Sequence, residues 1–416
     1  MKYTVPRGTR DLLPEQAEVF RHMEVTAAEL ARIYGYHELR TPMFEHSELF
    51  ERGVGESTDI VEKEMYTFSD RGERSLTLRP EGTAPVVRAV VEHKLYNGPM
   101  PLKLFYWGPM FRYERPQAGR YRQFWQFGIE MFGAEGPRAD VEVIALGWRW
   151  FQQLGIETEL VMNSIGCPEC RAQYRQVLIE YLRKQELCAN CVGRIDRNPL
   201  RVLDCKHKEC QRRLEQAPLI SEHLCQPCAD HFQAVQTGLD QLEISYRLDG
   251  RLVRGLDYYN RTTFEYKTKE LGAQDALGGG GRYDGLVELL GGPTVPAVGF
   301  ALGVDRIELL CSASAGAETP RSGLFLVATG ETTKKADQWL YSLREQGVAV
   351  QADLLERSFK AQFKQADRNN CRYALIFGPD ELARGEAEVR DLETGKQTAV
   401  ALEKLTEHIL ALEGVK

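Results

Sequence analysis

Residues 102–132 read LKLFYWGPMFRYERPQAGRYRQFWQFGIEMF, and this stretch predicts two apolar strands joined by a basic loop. The strands are predicted at 102–111 and 124–132, because Pro116 and Gly119 place the segment between them in a loop. Four arginines lie in that loop, and their guanidinium groups suit phosphates and exposed nucleotides. A solvated basic hairpin without a ligand is the alternative interpretation.

Two polar side chains, Gln126 and Glu130, interrupt the second apolar strand. Because side chains alternate between the two faces of a strand, Phe124 and Gln126 share one face with Glu130. A carboxylate among aromatic rings is costly unless it holds a cationic or hydrogen-bonding group. We therefore expect Glu130 to determine specificity for a ligand.

Helix and strand patterns alternate before this hairpin. A helix is predicted at 14–34 with Gly35 after its end, and a short strand is predicted at 36–42. A further strand is expected at 74–78 and a helix at 84–95. The apolar positions of the first helix, at helical spacing, are Phe20, Met23, Ala27, Leu30 and Ile33.

The turn Arg79-Pro-Glu-Gly-Thr83 carries a carboxylate on a rigid backbone. The Glu81 carboxylate could bind an amine at this position. It could equally cap the helix that begins at Ala84, since acidic side chains bind the free N–H groups of a first helical turn.

Glycine-rich motifs follow the predicted strands at 244–248 and 262–266. The run Gly278–Gly281 lets a backbone pass close to a nucleotide or an amino acid. It lacks the Gly-Lys-Ser/Thr ending of a P-loop. Arg306 lies one turn into a helix predicted at 304–310, where it suits either phosphate contact or the helix surface.

The carboxy-terminal segment follows a small, polar stretch at 312–320 that reads as a linker. Beyond it, strands and helices alternate, which predicts a compact α/β domain. The predicted strands lie at 324–328, 348–353 and 373–377, and the predicted helices lie at 334–346 and 359–369.

The composition of the chain excludes several classes of protein. The 416 residues carry 53 basic and 60 acidic side chains, and this balance excludes a globally basic nucleic-acid binder while allowing a local basic groove. No stretch approaches the roughly 18 apolar residues of a membrane span, and the amino terminus lacks a signal-peptide core. We expect a cytoplasmic protein with reduced cysteines and no membrane association.

Eight of the ten cysteines form four pairs inside one segment. Two thiolates at such spacing form half of a tetrahedral zinc site, so four pairs allow two structural zinc ions, with His207 and His223 as substitute ligands. Chance clustering and disulfides are the alternatives, and the four half-sites can combine in three ways. The candidate ligands are Cys167, Cys170, Cys188, Cys191, Cys205, Cys210, Cys225 and Cys228.

Together these motifs resemble the histidyl-tRNA synthetases, a family of class II aminoacyl-tRNA synthetases. The resemblance implies an α+β fold with an antiparallel-sheet catalytic domain over residues 1–315. A Cys-rich, mainly helical insertion at 165–240 interrupts this domain, and an α/β anticodon-binding domain follows at 322–416. The matching motifs lie at residues 7–11, 79–83, 111–117, 254–259 (RGLDYY), 279–284 and 299–306.

The resemblance also implies an activity and its partners: ATP-dependent activation of L-histidine, with Mg²⁺, and transfer of the histidyl group to the 3′ end of tRNA(His). Arg112 and Arg254 match the arginines that hold the α-phosphate of ATP, and Arg306 matches the one that holds the γ-phosphate. Arg120 and Arg122 would lie near the acceptor end of the tRNA. The strand at 36–42 resembles the motif that lies at the homodimer interface of the family.

For the histidine pocket, Glu81, Thr83 and Gln126 match the residues that hold the α-amino group. Glu130, with the tyrosine pair 258–259, matches the side that reads the imidazole. The positions implied for the whole pocket are Glu81, Gly82, Thr83, Arg112, Gln126, Glu130, Arg254, Tyr258, Tyr259 and Tyr283.

Two other functions compete with this interpretation. A non-catalytic paralogue, acting as a regulatory subunit in histidine biosynthesis, shares the catalytic fold, but it typically lacks the carboxy-terminal domain and an intact arginine motif. A pure RNA-binding protein would need a basic surface without an amino-acid pocket.

Overall fold

The structure, a computed structural model, describes residues 3–55, 58–203, 205, 207–272, 275–314 and 320–415. The chain divides into two compact units, Met1–Ala315 and Gly316–Lys416. Within the described ranges, no helix combines the length and the apolar character that crossing a membrane requires.

The first unit is built on a mostly antiparallel sheet, in which eight described strands follow the order β1-β5-β6-β11-β10-β9-β7-β8. Three short strands form a separate antiparallel sheet in the order β2-β4-β3. The strands are β1 His37–Glu38, β2 Phe44–His46, β3 Tyr66–Ser69, β4 Ser75–Leu78, β5 Leu102–Phe111, β6 Gln123–Phe132, β7 Glu159–Ser164, β8 Tyr246–Leu248, β9 Asn260–Lys267, β10 Ala276–Arg282 and β11 Ala297–Gly303.

Helices cover this sheet and fill the insertion between β7 and β8. The apolar stripe of the first helix packs into the main core with the helix that contains Trp150. The α-helices are α1 Pro14–Ile33, α2 Ser47–Val54, α3 Thr83–Glu92, α4 Pro137–Gln153, α5 Pro168–Leu182, α6 Ala189–Ile195, α7 Lys208–Arg213, α8 Gln226–Gln241, α9 Leu286–Leu289 and α10 Val304–Ser314.

The hairpin quoted at the start is confirmed. β5 and β6 pair antiparallel from Leu102 opposite Phe132 to Phe111 opposite Gln123, without a register shift. β11 then pairs antiparallel with β6, and β10 with β11, so the hairpin lies beside the glycine-rich strands. The mainly helical character predicted for the Cys-rich insertion is also confirmed by α5–α8.

Several predicted boundaries are wrong. Ile33, the last apolar position of the predicted helix, is 60% exposed, because it lies at the end of α1 beyond the core. Of the strand predicted at 36–42, two residues form β1, which runs parallel to β5 at the sheet edge. The linker predicted at 312–320 begins too early, since α10 continues to Ser314, and residues 315–319 lie outside the described ranges.

A buried ion pair ties the main sheet to its covering helices. Arg282, at the end of β10, and Asp140, on α4, are both fully buried and hydrogen-bonded to each other. Arg282 also donates to the carbonyl oxygen of Ala134 at 2.9 Å. His231 Nε2, on α8, lies 3.3 Å from an Asp140 carboxylate oxygen. The pair satisfies two charges that would be costly to bury alone.

The second unit contains the predicted strand–helix alternation and one hairpin more. Its described sheet has the order β13-β12-β14-β15-β16, with the first three strands parallel and the last two antiparallel. The elements are β12 Leu324–Ala328, α11 Thr333–Glu345, β13 Val350–Ala352, α12 Phe359–Arg368, β14 Tyr373–Phe377, α13 Pro379–Arg384, β15 Glu386–Asp391, β16 Gln397–Ala401 and α14 Leu405–Leu410.

Candidate active site

A cavity of about 260 Å³ opens on the face of the main sheet, between the β5–β6 hairpin and the strands β10 and β11. Its remaining wall is the irregular segment at residues 254–259, called here the 254–259 loop. Four arginines from three separate parts of the chain line it: Arg112 and Arg120 from the hairpin, Arg254 from the loop and Arg306 from α10. Such a set of fixed cations suits a polyanionic ligand.

Protein contacts hold Arg112, Arg254 and Arg306 in place. The Arg112 Nε donates to the carbonyl oxygen of Pro80 at 2.7 Å, and the Arg254 guanidinium bonds Glu265 at 2.5 Å. Arg306 donates to the carbonyl oxygen of Ala276, also at 2.5 Å. Burial lowers the pKa of Arg306, so an anion in the cavity would stabilise its charged form.

Glu81 is buried and caps α3. Its two carboxylate oxygens accept the backbone N–H groups of Thr83 and Ala84, each at 2.8 Å. The capping interpretation is therefore confirmed. The same carboxylate also lines the cavity, so one side chain both fixes the helix and faces a ligand. Burial raises its pKa, while the two backbone donors lower it.

Behind Glu81 lies a second, fully buried carboxylate. Glu130 accepts the hydroxyl of Thr83 at 2.7 Å and the hydroxyl of Tyr283. Burial raises the pKa of Glu130 to about 8, and the two hydroxyl donors act in the opposite direction. The carboxyl group is thus held in a fixed orientation at the inner end of the site.

Tyrosine rings enclose this inner end. The ring centroids of Tyr258 and Tyr259 are 4.7 Å apart, and those of Tyr258 and Tyr283 are 5.6 Å apart. The Tyr258 hydroxyl and the Gln126 side-chain oxygen are buried and have no hydrogen-bond partner among the described residues. Buried polar atoms of this kind are costly, and a polar ligand would satisfy them.

Sequence reasoning missed Tyr106 on β5, which lies beside Glu81, Glu130 and Tyr259. A Cβ added at Gly82 or at Gly128 would lie 2.3 or 2.1 Å from its ring, so both glycines make room for this tyrosine. Its hydroxyl is buried without a hydrogen-bond partner in the described part of the chain. Gly128 on the face of an apolar strand was the available signal, because an interior glycine often marks a close approach.

The floor of the cavity is the glycine strand β10. A Cβ added at any of its four consecutive glycines would lie between 1.9 and 2.5 Å from a backbone oxygen of β9 or β11. Gly299, on β11, is equally constrained, since its Cβ would lie 1.9 Å from a Glu130 carboxylate oxygen. At these positions the sheet therefore presents backbone atoms to the site and no side chains.

The predicted residues are distributed as follows. Glu130 and Tyr283 lie behind the cavity wall, linked to it through Thr83. Arg120 reaches the cavity and pairs with Glu114 at 2.9 Å. Arg122 lies outside the cavity lining, with its guanidinium 3.9 Å from the Tyr113 ring centroid. The predicted positions that line the cavity are Glu81, Thr83, Arg112, Arg120, Gln126, Arg254, Tyr258, Tyr259 and Arg306.

The eight paired cysteines come together in two groups of four. Within each group the four sulfur atoms lie within 4.8 Å of one another, and among the described residues cysteines alone form both groups. All are free thiols, and the Cys167 and Cys170 sulfurs are 3.6 Å apart, too far for a disulfide of about 2.05 Å. The groups are Cys167, Cys170, Cys225 and Cys228, and Cys188, Cys191, Cys205 and Cys210.

Comparisons with known families agree with the resemblance. The sequence model of the family described as Histidyl-tRNA synthetase matches residues 8–307, and that of the Anticodon binding domain matches residues 324–412.

Similar proteins cover the chain almost completely. A histidine–tRNA ligase of Desulforudis audaxviator (strain MP104C) is 54% identical over 409 residues, which are 97% of this chain and 97% of that protein. A histidine–tRNA ligase of Desulforamulus reducens is 52% identical over 418 residues, covering 99% of this chain and 100% of that protein.

Solved structures share the fold. The apo histidyl-tRNA synthetase of S. aureus matches with a TM-score of 0.83 at 38% identity, covering 98% of this chain and 99% of that chain. A Bacillus halodurans C structure, described as an ATP phosphoribosyltransferase regulatory subunit/histidyl-tRNA synthetase, matches with a TM-score of 0.64 at 23% identity and shares the fold alone. It covers 88% of this chain and 97% of that one.

Proposed function

The chain belongs to the histidyl-tRNA synthetase family, and we propose that the cavity between the hairpin, the 254–259 loop and β10–β11 is where it activates histidine. The chain is a histidine–tRNA ligase: it forms histidyl-adenylate from L-histidine and ATP and transfers the histidyl group to the 3′ end of tRNA(His). One observation carries the assignment of the site: three fixed arginines line the cavity, and the buried, doubly hydrogen-bonded Glu130 lies behind its wall, linked to it through the lining residue Thr83.

In the first step, the histidine carboxylate attacks the α-phosphorus of ATP and pyrophosphate leaves. Negative charge grows on the non-bridging oxygens, and Arg112 and Arg254 stabilise it where it develops. Arg306 holds the γ-phosphate. Glu114 lines the same cavity and would offer a carboxylate oxygen to Mg²⁺ bound with ATP, which would add positive charge at the phosphates.

Positioning supplies much of the remaining acceleration. Both substrates bind in one cavity, so the attack becomes an effectively unimolecular step. Glu81, Thr83 and Gln126 hold the α-amino group and thereby direct the carboxylate toward the phosphates.

Specificity follows from the buried carboxyl group. Neutral imidazole has one N–H donor and one acceptor nitrogen, and Glu130, with Tyr258 and Tyr259, offers the complementary atoms. An amino acid without a donor would leave the remaining acceptor capacity of the buried Glu130 carboxylate unsatisfied, which is the kind of penalty that discriminates most strongly. The regulatory-paralogue alternative is not favoured, because relatives about half identical over the full chain are ligases and the carboxy-terminal domain is present.

Histidine-dependent exchange of pyrophosphate into ATP tests the assignment of the site. Replacing Arg254 with Ala removes one of two charges on the α-phosphate, and we expect kcat to fall by about 100-fold or more. The control is Arg247→Ala, which removes an exposed arginine paired with Glu159. Unchanged exchange in Arg254→Ala would refute the catalytic site.

Two structural zinc ions in the Cys-rich insertion form the second part of the proposal. A zinc ion about 2.3 Å from four sulfurs in a tetrahedron places the sulfurs about 3.8 Å apart. The sulfur separations of 3.9 Å between Cys167 and Cys225 and 4.0 Å between Cys188 and Cys205 fit this value. Four thiolates fill each site, so no position remains for substrate.

Metal analysis decides this point. We expect two zinc ions per chain after purification without chelators, and one zinc ion in Cys191→Ser. Less than one zinc ion per wild-type chain would exclude both sites.

The tRNA contacts are proposed from the family. Arg120 and Arg122 lie in the β5–β6 loop near the entrance of the cavity, and the second unit would hold the anticodon. Replacing Arg120 with Ala should weaken tRNA binding and flatten its salt dependence while sparing pyrophosphate exchange. Equal loss of both would contradict the separation of roles.

The assignment of residues 1–315 as catalytic domain, 165–240 as its insertion and 322–416 as anticodon-binding domain is part of the same proposal. We further propose a cytoplasmic homodimer. Translation supplies the tRNA substrate in that compartment, and the side chains of Met43, Phe44 and Phe68, in and beside the small sheet, are about half exposed and suit an apolar interface. Sedimentation velocity that shows a monomer at working concentrations would exclude the dimer.

A further inference from the structure

The 254–259 loop is a partition between two cavities. One is the candidate active site, and the other has a volume of about 400 Å³ and lies against the Cys-rich insertion. Arg254, Leu256 and Tyr259 line both. The loop has no helix or strand of its own, so contacts with neighbouring segments fix its backbone. One of them is the hydrogen bond from the Asp257 N–H to the carbonyl oxygen of Val54 at 3.2 Å.

Three side chains of the insertion supply further contacts. Arg201 donates to the carbonyl oxygen of Gly255, and its Nε lies 3.8 Å from an Asp257 carboxylate oxygen. Asn198 donates to that Asp257 oxygen at 2.9 Å. Arg171 donates to the carbonyl oxygen of Tyr259 at 3.1 Å. The donors thus bind positions 255, 257 and 259 on the side of the loop that faces the insertion.

These donors lie in the chain segments that carry the two cysteine groups. Arg171 follows Cys170 in the chain, and Asn198 and Arg201 lie between Cys191 and Cys205. Both groups therefore contribute to holding one loop.

The packing around these bonds makes them effective. The Arg201 side chain is 11% exposed to solvent. The next two residues, Val202 and Leu203, belong to the same apolar core cluster as Tyr259. Arg171 is half-buried, and its bond to Tyr259 is partly buried. The bonds of Arg201 and Asn198 lie at the exposed surface of the loop, and the apolar packing beside Arg201 holds its side chain in place for them.

We propose that the Cys-rich insertion positions the 254–259 loop for catalysis through Arg201 and Asn198. This inference rests on the proposed function, in which Arg254 acts at the α-phosphate. It makes the placement of Arg254 depend on residues that touch no substrate. A loop released from the insertion would still present Arg254, but with its guanidinium displaced from the α-phosphate. Displacements of about 1 Å at a reacting centre cost up to about 100-fold in rate.

Kinetics of histidine-dependent pyrophosphate exchange test the proposal. We expect Arg201→Ala to lower kcat by about 10- to 100-fold while the KM values for histidine and ATP change by less than about threefold. Arg201→Lys, which keeps a donor for the Gly255 carbonyl oxygen, should restore a large part of kcat. Asn198→Ala should give a smaller loss in the same direction.

The matched control is Arg197→Ala, since Arg197 lines the same cavity but is exposed. It should leave kcat unchanged. Zinc content and backbone hydrogen exchange accompany the kinetics: Arg201→Ala should retain wild-type zinc content and exchange faster at residues 250–261.

The proposal is overturned if Arg201→Ala keeps wild-type kcat, if Arg197→Ala loses as much, or if the loss of kcat equals the loss of folded, zinc-containing protein. If Arg201→Ala does not fold, the same kinetic comparison is made with Asn198→Ala. Activity lost in Arg254→Ala but retained in Arg201→Ala would refute the positioning role and leave the proposed function intact.

Discussion

Removing one hydroxyl from the inner end of the site should shift the pH dependence of histidine use. Tyr283→Phe deletes a donor to the buried carboxyl of Glu130 and preserves the ring. A hydrogen bond to a charged group contributes about 1.5–3 kcal/mol, which corresponds to about one to two pKa units. Because the lost donor stabilises the ionised form, the pKa of Glu130 should rise from about 8 to about 9–10.

The expected kinetic effect follows from the fraction of ionised Glu130 in the free enzyme, which kcat/KM for histidine reports. At about pH 7.5, the ionised fraction falls about 8- to 80-fold when the pKa rises by one to two units. At about pH 9, the same shift costs only about 2- to 10-fold. The deficit of the variant should therefore shrink as the pH increases.

Pyrophosphate exchange at subsaturating histidine, from about pH 6 to 9, measures this deficit. The matched control is Tyr266→Phe, which also deletes a buried hydroxyl, one that donates to the carbonyl oxygen of Ile144 at 2.6 Å away from the site. A deficit of constant size at every pH would refute the role assigned to the carboxylate. An unchanged kcat/KM would refute the hydrogen bond itself.

Three further predictions concern stability. The folded chain holds the Glu130 proton more tightly than the unfolded chain does, where the pKa is near 4.5, so its stabilising contribution is complete below about pH 4.5 and is lost as the pH rises through about 8. The Tm of the wild type should accordingly fall relative to Glu130→Gln between these values, and a constant difference would contradict this. Arg282→Met should lower the free energy of unfolding, measured with denaturant, by about 3–5 kcal/mol, because it leaves the Asp140 charge uncompensated. Adding Asp140→Asn should recover part of this loss. Equal stability of the single and double variants would argue against the prediction. Gly280→Ala would place a methyl group 1.9 Å from the Gly299 carbonyl oxygen and should lower Tm or abolish soluble expression. The control Gly285→Ala, with nothing within 4 Å of the added Cβ, should change the free energy of unfolding by about 0.5 kcal/mol or less. Similar Tm values for both variants would show that the backbone of the strand can shift to make room.

Local sequence patterns predicted the elements that depend on local physics. The β5 strand has the predicted bounds because an apolar run, interrupted by Lys103 near its start, ends where the arginines begin. The β15–β16 hairpin was missed, since Glu386, Glu388 and Arg390 make its first strand look like a charged surface segment. Only Ala387 and Val389 face the core, and the neighbouring β14 supplies the rest of the burial.

The site was predictable as a set of residues and much less so as an arrangement. Spacing indicated that the cysteines pair into half-sites, but the first pair joins the fourth, and no local pattern encodes a contact across 58 residues. Tyr106 lacked any polar or charged signature of its own. Its importance appears only when Gly82 and Gly128, 46 positions apart in the sequence, lie on either side of its ring.

The glycine strand has a consequence for inhibitors. Gly278 and Gly279 line the cavity, and any side chain there would collide with the backbone of a neighbouring strand, which cannot rotate away. A cell under drug pressure could not remodel this floor by single substitution without losing the sheet. Compounds that stack flat on the glycine strand should therefore be slow to meet resistance mutations at their point of contact.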